Sequence, residues 1–368
     1  MFGSKPSTRL GVDLGAGGIK LVELKKIKGR PVLNTYGLTS EPQDVHGLAN
    51  TAVVGPTADT SKSPVSEETI GEYANLLKSV CKQSHVLGKI ATVSLPVSSV
   101  FHAAVNLPIL KKENALPALK SEVRKLLPRP IEEMALDYQV LPVKDGAESQ
   151  TYLVNAVPRD IVAIYTQIFK RAGLELDALE PESLALARSL VGRDNAVTML
   201  LDIGRERSNF FIVEDGVVVT HTSVETGGAK VNEILAKNWN LAEALAEQAK
   251  FDSFSNLMSL PKTAPELLVA GQMLAPVILP IIKEIEYNFD LYSRRNGNAS
   301  HRPEKIILTG GASMLPTLTD AIADKFKIKC YVGDPWGRVV YQDGLKPALR
   351  KVGPRLSVAI GLALRGVV

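Results

Sequence analysis

Two segments of this chain share one pattern, although their acidic residues, Asp13 and Asp202, lie 189 positions apart. In each segment an apolar run ends in Asp-x-Gly, a short polar turn follows, and a second run rich in β-forming residues leaves the turn. The amides of such a turn can face phosphate oxygens, and an Asp at a strand end can hold the water shell of Mg²⁺. One hairpin of this kind is a weak signal. Two at matching positions predict a duplicated α/β domain that closes on a nucleotide.

A third glycine turn lies near the end of the chain. The apolar run that starts at Lys305 leads into Gly310-Gly311, and a helix-like pattern follows from Pro316. Adjacent glycines would let a flat adenine lie against bare backbone. Each turn alone is equally compatible with an ordinary hairpin or strand-to-helix connection. The order of the three motifs resembles the actin-like ATPase superfamily, and this resemblance implies an actin-like (ribonuclease H-like) α/β fold that binds ATP with Mg²⁺.

Length and composition indicate a two-domain globular protein. The chain has 368 residues, of which 45% are hydrophobic and 22% charged, and it is too long for one small core. A net charge of +4 is too small to argue for a nucleic-acid partner. Cys81 and Cys330 fit neither a disulfide framework nor a metal motif. No secretory signal is visible, so we expect a cytoplasmic protein that meets the membrane only through a partner.

The two halves have similar organisation. We expect residues 1–180 to form the first actin-like domain and residues 181–368 the second. A small α+β subdomain with proline at both flanks is expected as an insertion at 97–157 in the first half. The last helix, at about 355–366, is expected to pack back on the first domain.

Three further segments have clear local signals. Residues 41–65, rich in Pro, Thr, Ser and Asp, predict a surface loop. Ser66 precedes two glutamates and an apolar pattern with helical spacing, which predicts an N-cap. The longest apolar run, 274–282, contains two prolines and is under half a membrane span, so it predicts part of a buried helix.

The middle of the chain carries the most specific resemblance. Glu122-Val-Arg-Lys-Leu-Leu-Pro-Arg-Pro-Ile-Glu-Glu is followed by Leu136-Asp-Tyr-Gln-Val-Leu, and the connector between the halves begins Ala172-Gly-Leu-Glu-Leu-Asp-Ala-Leu-Glu-Pro-Glu. With Thr226-Gly-Gly and the terminal Ala359-Ile-Gly-Leu-Ala-Leu-Arg, these segments resemble the PilM family of cytoplasmic actin-like proteins in the type IV pilus inner-membrane platform. The resemblance covers about residues 8–366. FtsA and the cytoplasmic domain of GspL are related families.

This resemblance implies an assembly scaffold. Its expected partner is the N-terminal cytoplasmic tail of a PilN-like inner-membrane protein, docked in a groove between the 97–157 insertion and the first domain. Pilus motor or platform proteins and self-association are further expected contacts, and nucleic acid is not. The protein would then lie in the cytoplasm, peripheral to the inner membrane through its partner.

The resemblance also assigns roles to the motif residues. The amides of the two hairpin turns and the ammonium group of Lys20 would contact the phosphates. Asp13 and Asp202 would hold Mg²⁺ mainly through water. The Gly-Gly turn would border the adenosine. A Glu-x-x-Lys pair would lie near the ribose and base, although amphipathic helices produce the same spacing as a solvated pair. The expected nucleotide site comprises Asp13, Gly15, Ala16, Gly17, Gly18, Lys20, Asp202, Gly204, Ser208, Gly227, Gly228, Glu247, Lys250, Gly310, Gly311 and Ala312.

The motifs depart from the family pattern in ways that bear on hydrolysis. Arg205 follows Gly204 where small or neutral residues are usual; it would clash with a phosphate, pair with one, or point to solvent. The first turn lacks the usual Ser or Thr, and the connector carries Glu180 where Asp is common. Hydrolysis needs a group that orients or activates water, and Glu180 and Glu182 are the acidic candidates. We therefore expect ATP binding with slow or absent turnover.

Two other functions share these motifs. A small-molecule kinase would have the same hairpins but also a substrate pocket with a catalytic base, and phosphoryl transfer to an acceptor would identify it. An FtsA-like cell-division filament protein would share the position of the inserted subdomain and normally carries an amphipathic membrane helix after the last packed helix, whereas this sequence stops shortly after Arg365. Longitudinal filament contacts cannot be read from the sequence, so both alternatives stay open.

Overall fold

The computed structural model describes residues 8–39, 65–127, 129–141, 149–257, 259–295 and 301–367. The loop expected at 41–65 lies outside the described residues, apart from Val65. Thirteen strands are described in these ranges: β1 Thr8–Gly15, β2 Gly18–Ile27, β3 Arg30–Leu38, β4 Ile90–Leu95, β5 Phe101–Pro108, β6 Met134–Val140, β7 Ser149–Pro158, β8 Glu175–Pro181, β9 Thr198–Ile203, β10 Ser208–Glu214, β11 Val217–Val224, β12 Lys305–Thr309 and β13 Lys329–Val332.

Nine α-helices are described in the same parts of the chain, together with short 3₁₀ turns and a π-helical turn at Ala187–Val191. The helices are α1 Glu67–Gln83, α2 Lys112–Arg124, α3 Arg159–Ala172, α4 Glu182–Leu186, α5 Gly228–Trp239, α6 Glu243–Leu257, α7 Pro265–Arg295, α8 Leu318–Phe326 and α9 Lys346–Leu364.

The two large sheets have the same topology. Their strand orders are β3-β2-β1-β4-β8 and β11-β10-β9-β12-β13. In each sheet the first three strands form an antiparallel meander and the last two run parallel to the central strand. The register of the two hairpins also matches, because Asp13 faces Lys20 and Asp202 faces Asn209. The repeated motif therefore marks a repeated fold.

Each sheet buries one face under its own helices. α1 and α3 cover the first sheet, and α5 to α8 cover the second. The strands β4, β9 and β12 are nearly continuous apolar runs, as buried strands with parallel partners are. The predicted cap of α1 is confirmed, since Ser66 Oγ accepts a hydrogen bond from the Thr69 amide at 3.1 Å. Such a cap stabilises a helix by about 1 kcal/mol.

The other faces of the two sheets meet around α4 and α9. Helix α9 packs on β1 and β2, and both helices pack on β9 to β12 of the second sheet. Small residues permit this close approach: a Cβ at Gly11 would overlap the backbone of Ala359, and one at Gly361 would overlap the carbonyl of Ala185. Helix α9 begins at Lys346, earlier than the sequence pattern indicated, because Pro354 lies inside the helix instead of ending it.

The inserted segment forms a unit with its own core. Its antiparallel sheet has the order β5-β7-β6 and packs on α2. Val105, Leu119 and Val154 are at the centre of this core. The three strands and the helix give this segment the α+β composition expected of the inserted subdomain. Strand β7 leads directly into α3, which joins the unit to the first half.

Helix α7 is long and apolar enough, by length and composition alone, to cross a membrane over Pro265–Arg294. Its buried side includes Leu274, Ile281 and Ile285, which belong to the core of the second half. A core helix of this length passes the same test, so the packing against β10 and β11 accounts for its composition.

Candidate nucleotide site

A cavity lies between the two halves at the ends of β1, β4 and β9. It has a volume of about 160 Å³ and adjoins a second cavity of about 480 Å³ along the Gly-Gly turn. The predicted site residues that line the first cavity are Asp13, Gly15, Ala16, Gly17, Lys20, Asp202, Gly204, Gly228, Glu247, Gly310, Gly311 and Ala312. Lys250 lines the second cavity. The fold therefore brings together all three motifs, although they are distant in the sequence.

The first hairpin forms a charged corner of the cavity. Lys20 Nζ donates to Asp13 Oδ2 at 3.0 Å and to the carbonyl of Gly18 at 3.3 Å. Ser94 Oγ, from the end of β4, donates to the other oxygen of Asp13 at 2.9 Å. These two donors hold the Asp13 carboxylate in place. Nothing in the sequence marks Ser94 as a site residue, because a serine at the end of an apolar strand is common.

Gly18 supports the turn from outside the cavity lining. Its φ of 104° lies in the region that glycine adopts without strain, and a Cβ there would crowd the backbone of Thr39. Thr39 in turn accepts a hydrogen bond from the Ile19 amide at 3.0 Å through its side chain. Gly15 leaves room for the Asp13–Lys20 pair, since a Cβ would lie 2.9 Å from Lys20 Nζ.

The second hairpin is held by hydrogen bonds to the start of α5 and to the segment just before it. The amide of Gly228 donates to the carbonyl of Gly204 at 2.9 Å, and the hydroxyl of Ser208 donates to the carbonyl of Thr226 at 2.6 Å. Ser208 and Gly227 therefore brace the turn and do not line the cavity. Arg205 does line it, and its guanidinium lies 3.9 Å from Glu247. The arginine that follows Gly204, where the family has small or neutral residues, thus adds a positive charge to the cavity wall.

The Gly-Gly turn packs directly behind Asp202. Gly310 has a φ of 90°, and a Cβ there would overlap the Asp202 carboxylate. The amide of Gly310 donates to the carbonyl of Pro354 at 3.0 Å, and the amide of Ala312 donates to the carbonyl of Ile203 at 3.0 Å. Glycine is needed at Gly310 for the close approach of the third motif to the second.

Three carboxylates face one another across the cavity. Burial, followed by the charge of Asp13, raises the pKa of Asp202 to about 6. Burial and the charges of Asp13 and Asp202 raise the pKa of Glu182 well above its usual range. Lys20 opposes both shifts. Uncompensated negative charge of this kind favours a cation, but no three acidic, His or Cys side chains in the described ranges are close enough to hold a metal ion directly.

The two acidic candidates of the connector have different surroundings. Glu182 lines the cavity. Glu180 is paired with Arg188 at 3.0 Å and with Arg365 Nε at 2.7 Å. In this geometry Glu180 joins the connector to the end of α9, so the position available for chemistry is that of Glu182.

The Glu247–Lys250 pair is more than a solvated helix pair. Lys250 Nζ lies 2.8 Å from Glu247 Oε2, and the lysine side chain is only 6% exposed. Burial alone would raise the pKa of Glu247, but hydrogen bonds from Lys250 and Asn232 outweigh it and lower this pKa. Burial lowers the pKa of Lys250. A desolvated ion pair at this position can form strong hydrogen bonds with polar groups of a ligand.

Several residues that line the cavity belong to none of the three sequence motifs. Asn209 occupies the register position of Lys20 in the second hairpin. His221 stacks on Phe211 with ring centroids 4.9 Å apart, and burial lowers its pKa to about 4. Phe251 and Arg355 line both cavities. Asn209 could have been found by aligning the two hairpins, whereas no local signal marks the others.

Comparison with known proteins agrees with this architecture. A chain of a PilM–PilN type IV pilus biogenesis complex superimposes with a TM-score of 0.77 at 21% identity, covering 99% of this chain and 100% of that chain. The ethanolamine utilization protein EutJ from Carboxydothermus hydrogenoformans gives a TM-score of 0.53 at 17% identity, covering 98% and 90%. These structures confirm the predicted actin-like α/β fold.

Sequence comparison gives a distant relative and a family. A cell division protein FtsA from Pseudomonas aeruginosa is 25% identical over 211 residues, which is 54% of this chain and 49% of that protein. The chain thus matches about half the length of this curated relative. The family model described as type IV pilus assembly protein PilM matches residues 11–367. Because that match includes both hairpins, the inserted unit and α9, the chain belongs to the PilM family of type IV pilus assembly proteins.

Proposed function

We propose that this protein is a cytoplasmic, ATP-binding scaffold of the type IV pilus inner-membrane platform. The proposal of nucleotide binding rests on one observation: two Asp-x-Gly hairpins and a Gly-Gly turn surround one cavity. The adjoining cavity is lined by Phe251, Phe254, Met314 and Val352. Phosphates would lie against the turn amides in the first cavity, and the base would lie against these apolar side chains of the second cavity.

Mg²⁺ fits the acidic side of the first cavity. Asp13 and Asp202 would hold its water shell, in keeping with the absence of a direct ligand set among the described residues. When bound, Mg²⁺ would neutralise charge on the β- and γ-phosphates. Lys20 stays beside Asp13 and can contact a phosphate from the opposite side.

ATP would act here as a structural ligand rather than as a rapidly consumed substrate. The cavity offers Glu182 as a group that could hold a proton near the terminal phosphate. Its surroundings favour the protonated acid, because burial and two neighbouring carboxylates raise its pKa. A protonated acid cannot act as a general base, which supports slow turnover.

The partner is proposed to be the N-terminal cytoplasmic tail of a PilN-like membrane protein. The inserted unit has two edge strands, β5 and β6, and each pairs on one side only with β7 in the described sheet. The unit also exposes apolar side chains, including Ile109, Leu126 and Val140. An edge strand beside apolar side chains can bind an extended peptide by strand addition. A tail that becomes ordered on binding would have modest affinity.

A binding experiment tests both parts of this proposal. Isothermal titration calorimetry would measure ATP affinity with Mg²⁺ and with EDTA, and fluorescence anisotropy would measure binding of a labelled tail peptide. We expect ATP to bind more tightly with Mg²⁺, and the tail peptide to bind more tightly than a peptide of the same composition in scrambled order. Absence of ATP binding would contradict the nucleotide assignment, and equal binding of the two peptides would contradict the partner assignment.

A further inference from the structure

Arg355 lies where the two cavities meet. Its side chain lines both of them, and its guanidinium carbon lies 5.0 Å from the centroid of the Phe251 ring. Within the described part of the chain Arg355 forms no salt bridge, because the nearby carboxylate, Glu247, is taken by Lys250 at 2.8 Å. A half-buried guanidinium without a carboxylate partner is unfavourable unless an anion joins it, and burial lowers its pKa.

The backbone holds this side chain at a fixed place. Arg355 follows Pro354, whose carbonyl accepts hydrogen bonds from the Gly310 amide at 3.0 Å and from the Thr309 hydroxyl at 3.2 Å. A Cβ at Gly311 would lie 3.8 Å from Arg355 Cγ, so the stem of the arginine crosses the Gly-Gly turn. The guanidinium is therefore positioned by the same turn that separates the two cavities.

A nucleotide with its terminal phosphates in the first cavity and its base in the second must cross this boundary at the phosphate attached to the ribose. Arginine binds phosphate oxygens through two parallel N–H donors. Contact with the face of the Phe251 ring leaves the guanidinium accessible while costing it little hydration. We propose that Arg355 binds the α-phosphate of the nucleotide, an inference that rests on the nucleotide binding proposed above.

The test compares ligands that differ by one phosphate at a time. Adenosine, AMP, ADP and ATP would be titrated into the wild-type chain and into Arg355→Gln, by displacement of a fluorescent ATP analogue. The wild type should bind AMP more tightly than adenosine. Arg355→Gln should weaken AMP, ADP and ATP binding by about tenfold or more and leave adenosine unchanged. Arg350→Gln is the matched control, because Arg350 is exposed on the same helix.

Each alternative has its own outcome. If Arg355→Gln binds AMP as well as the wild type does while the wild type binds ATP, this inference fails and the proposed function stands. If adenosine weakens as much as AMP, Arg355 contacts the base or ribose and the inference also fails. Absence of ATP binding in the wild type would reject the proposed function itself. Should Arg355→Gln not fold, Arg355→Lys decides: a reduced preference for AMP over adenosine supports the contact, and an unchanged preference contradicts it.

Discussion

Asp13 and Asp202 occupy equivalent ends of equivalent strands but have different surroundings. Asp13 has Lys20 and Ser94 as direct partners. Asp202 faces Asn209 in the register where Asp13 faces Lys20, and its carboxylate lies against Gly310. The two aspartates therefore occupy equivalent positions, but only the charge of Asp13 is balanced by a neighbouring cation. An added cation would complete the balance on the side of Asp202.

The raised pKa of Asp202 predicts a pH dependence of stability in the ligand-free protein. Its folded-state pKa of about 6 exceeds the usual value of 3.8, so folding favours the protonated acid. This contribution to stability is fully present below about pH 4 and is lost as the pH rises through 6. Asp202→Asn removes the charge, and we expect it to be more stable than the wild type at pH 8 by on the order of 1–3 kcal/mol.

Denaturant unfolding in EDTA at pH 5 and pH 8 would measure this difference, which should shrink at the lower pH. Asp137→Asn, on the exposed side of β6, is a control that should show no such trend. Equal stability of wild type and Asp202→Asn at both pH values would contradict the raised pKa of Asp202.

At the scale of elements, two helical glycines should respond in opposite directions to the same substitution. Gly361 in α9 touches α4, and an alanine Cβ would overlap the Ala185 carbonyl, so Gly361→Ala should destabilise the protein by about 1–3 kcal/mol. Gly71 in α1 has open space around it, and Gly71→Ala should stabilise by about 0.4–1 kcal/mol. Thermal unfolding of both variants measures the contrast, and a neutral Gly361→Ala would show that α4 and α9 are not in contact.

The inserted unit offers a second test at this scale. Val97 and Ser98 line the cavity, so a deletion that spares ATP binding should start after Val100. Phe101 and Ala156 face each other in the β5–β7 register, which allows a short Gly-Ser linker to replace 101–156. We expect this variant to fold and bind ATP as the wild type does but to lose the tail peptide.

Calorimetry would measure ATP binding by the deletion variant, and fluorescence anisotropy would separately measure its binding of the labelled tail peptide. Retained ATP binding also serves as the control for folding. If the variant still captures the tail with wild-type affinity, the inserted unit is not the docking site.

Elements with local signals were predictable from the sequence, and long-range contacts were not. The three motifs, the cap at Ser66 and the α+β character of the inserted unit follow from residue type and spacing. The start of α9 was predicted too late, because a proline inside a helix is tolerated where its neighbours pack on both sheets. Arg355 enters the site from a helix far along the chain, and Ser94 reaches Asp13 only because β1 and β4 are paired.

At the scale of the molecule, α4 and α9 lie between the two halves and contact both sheets. A ligand that spans the cavity would contact the turns of both halves and residues of α9. Nucleotide binding can therefore stabilise one relative position of the halves, provided that the ligand binds the two positions with different affinity. The proposed docking unit is attached to the first half, and its groove can respond only through such a change.

Turnover is the whole-molecule property that separates an ATP-binding scaffold from an enzyme that consumes ATP. We expect a steady-state rate of ATP hydrolysis below about 1 per second, the lower end of the usual enzyme range. Phosphate release would be measured with saturating ATP and Mg²⁺, with and without the tail peptide, and with Glu182→Gln as the control for contaminating activity. A rate within the usual enzyme range that Glu182→Gln abolishes would contradict the scaffold account.

The central claim is that both hairpins hold one Mg²⁺–ATP complex, and calorimetry of carboxylate variants tests it most directly. Asp13→Ala and Asp202→Ala should each weaken Mg²⁺–ATP binding by on the order of tenfold or more, because each removes a charge-assisted contact of about 1.5–3 kcal/mol. Asp137→Ala should bind as the wild type does. Unchanged affinity in both Asp13→Ala and Asp202→Ala would contradict the assignment of this cavity as the nucleotide site.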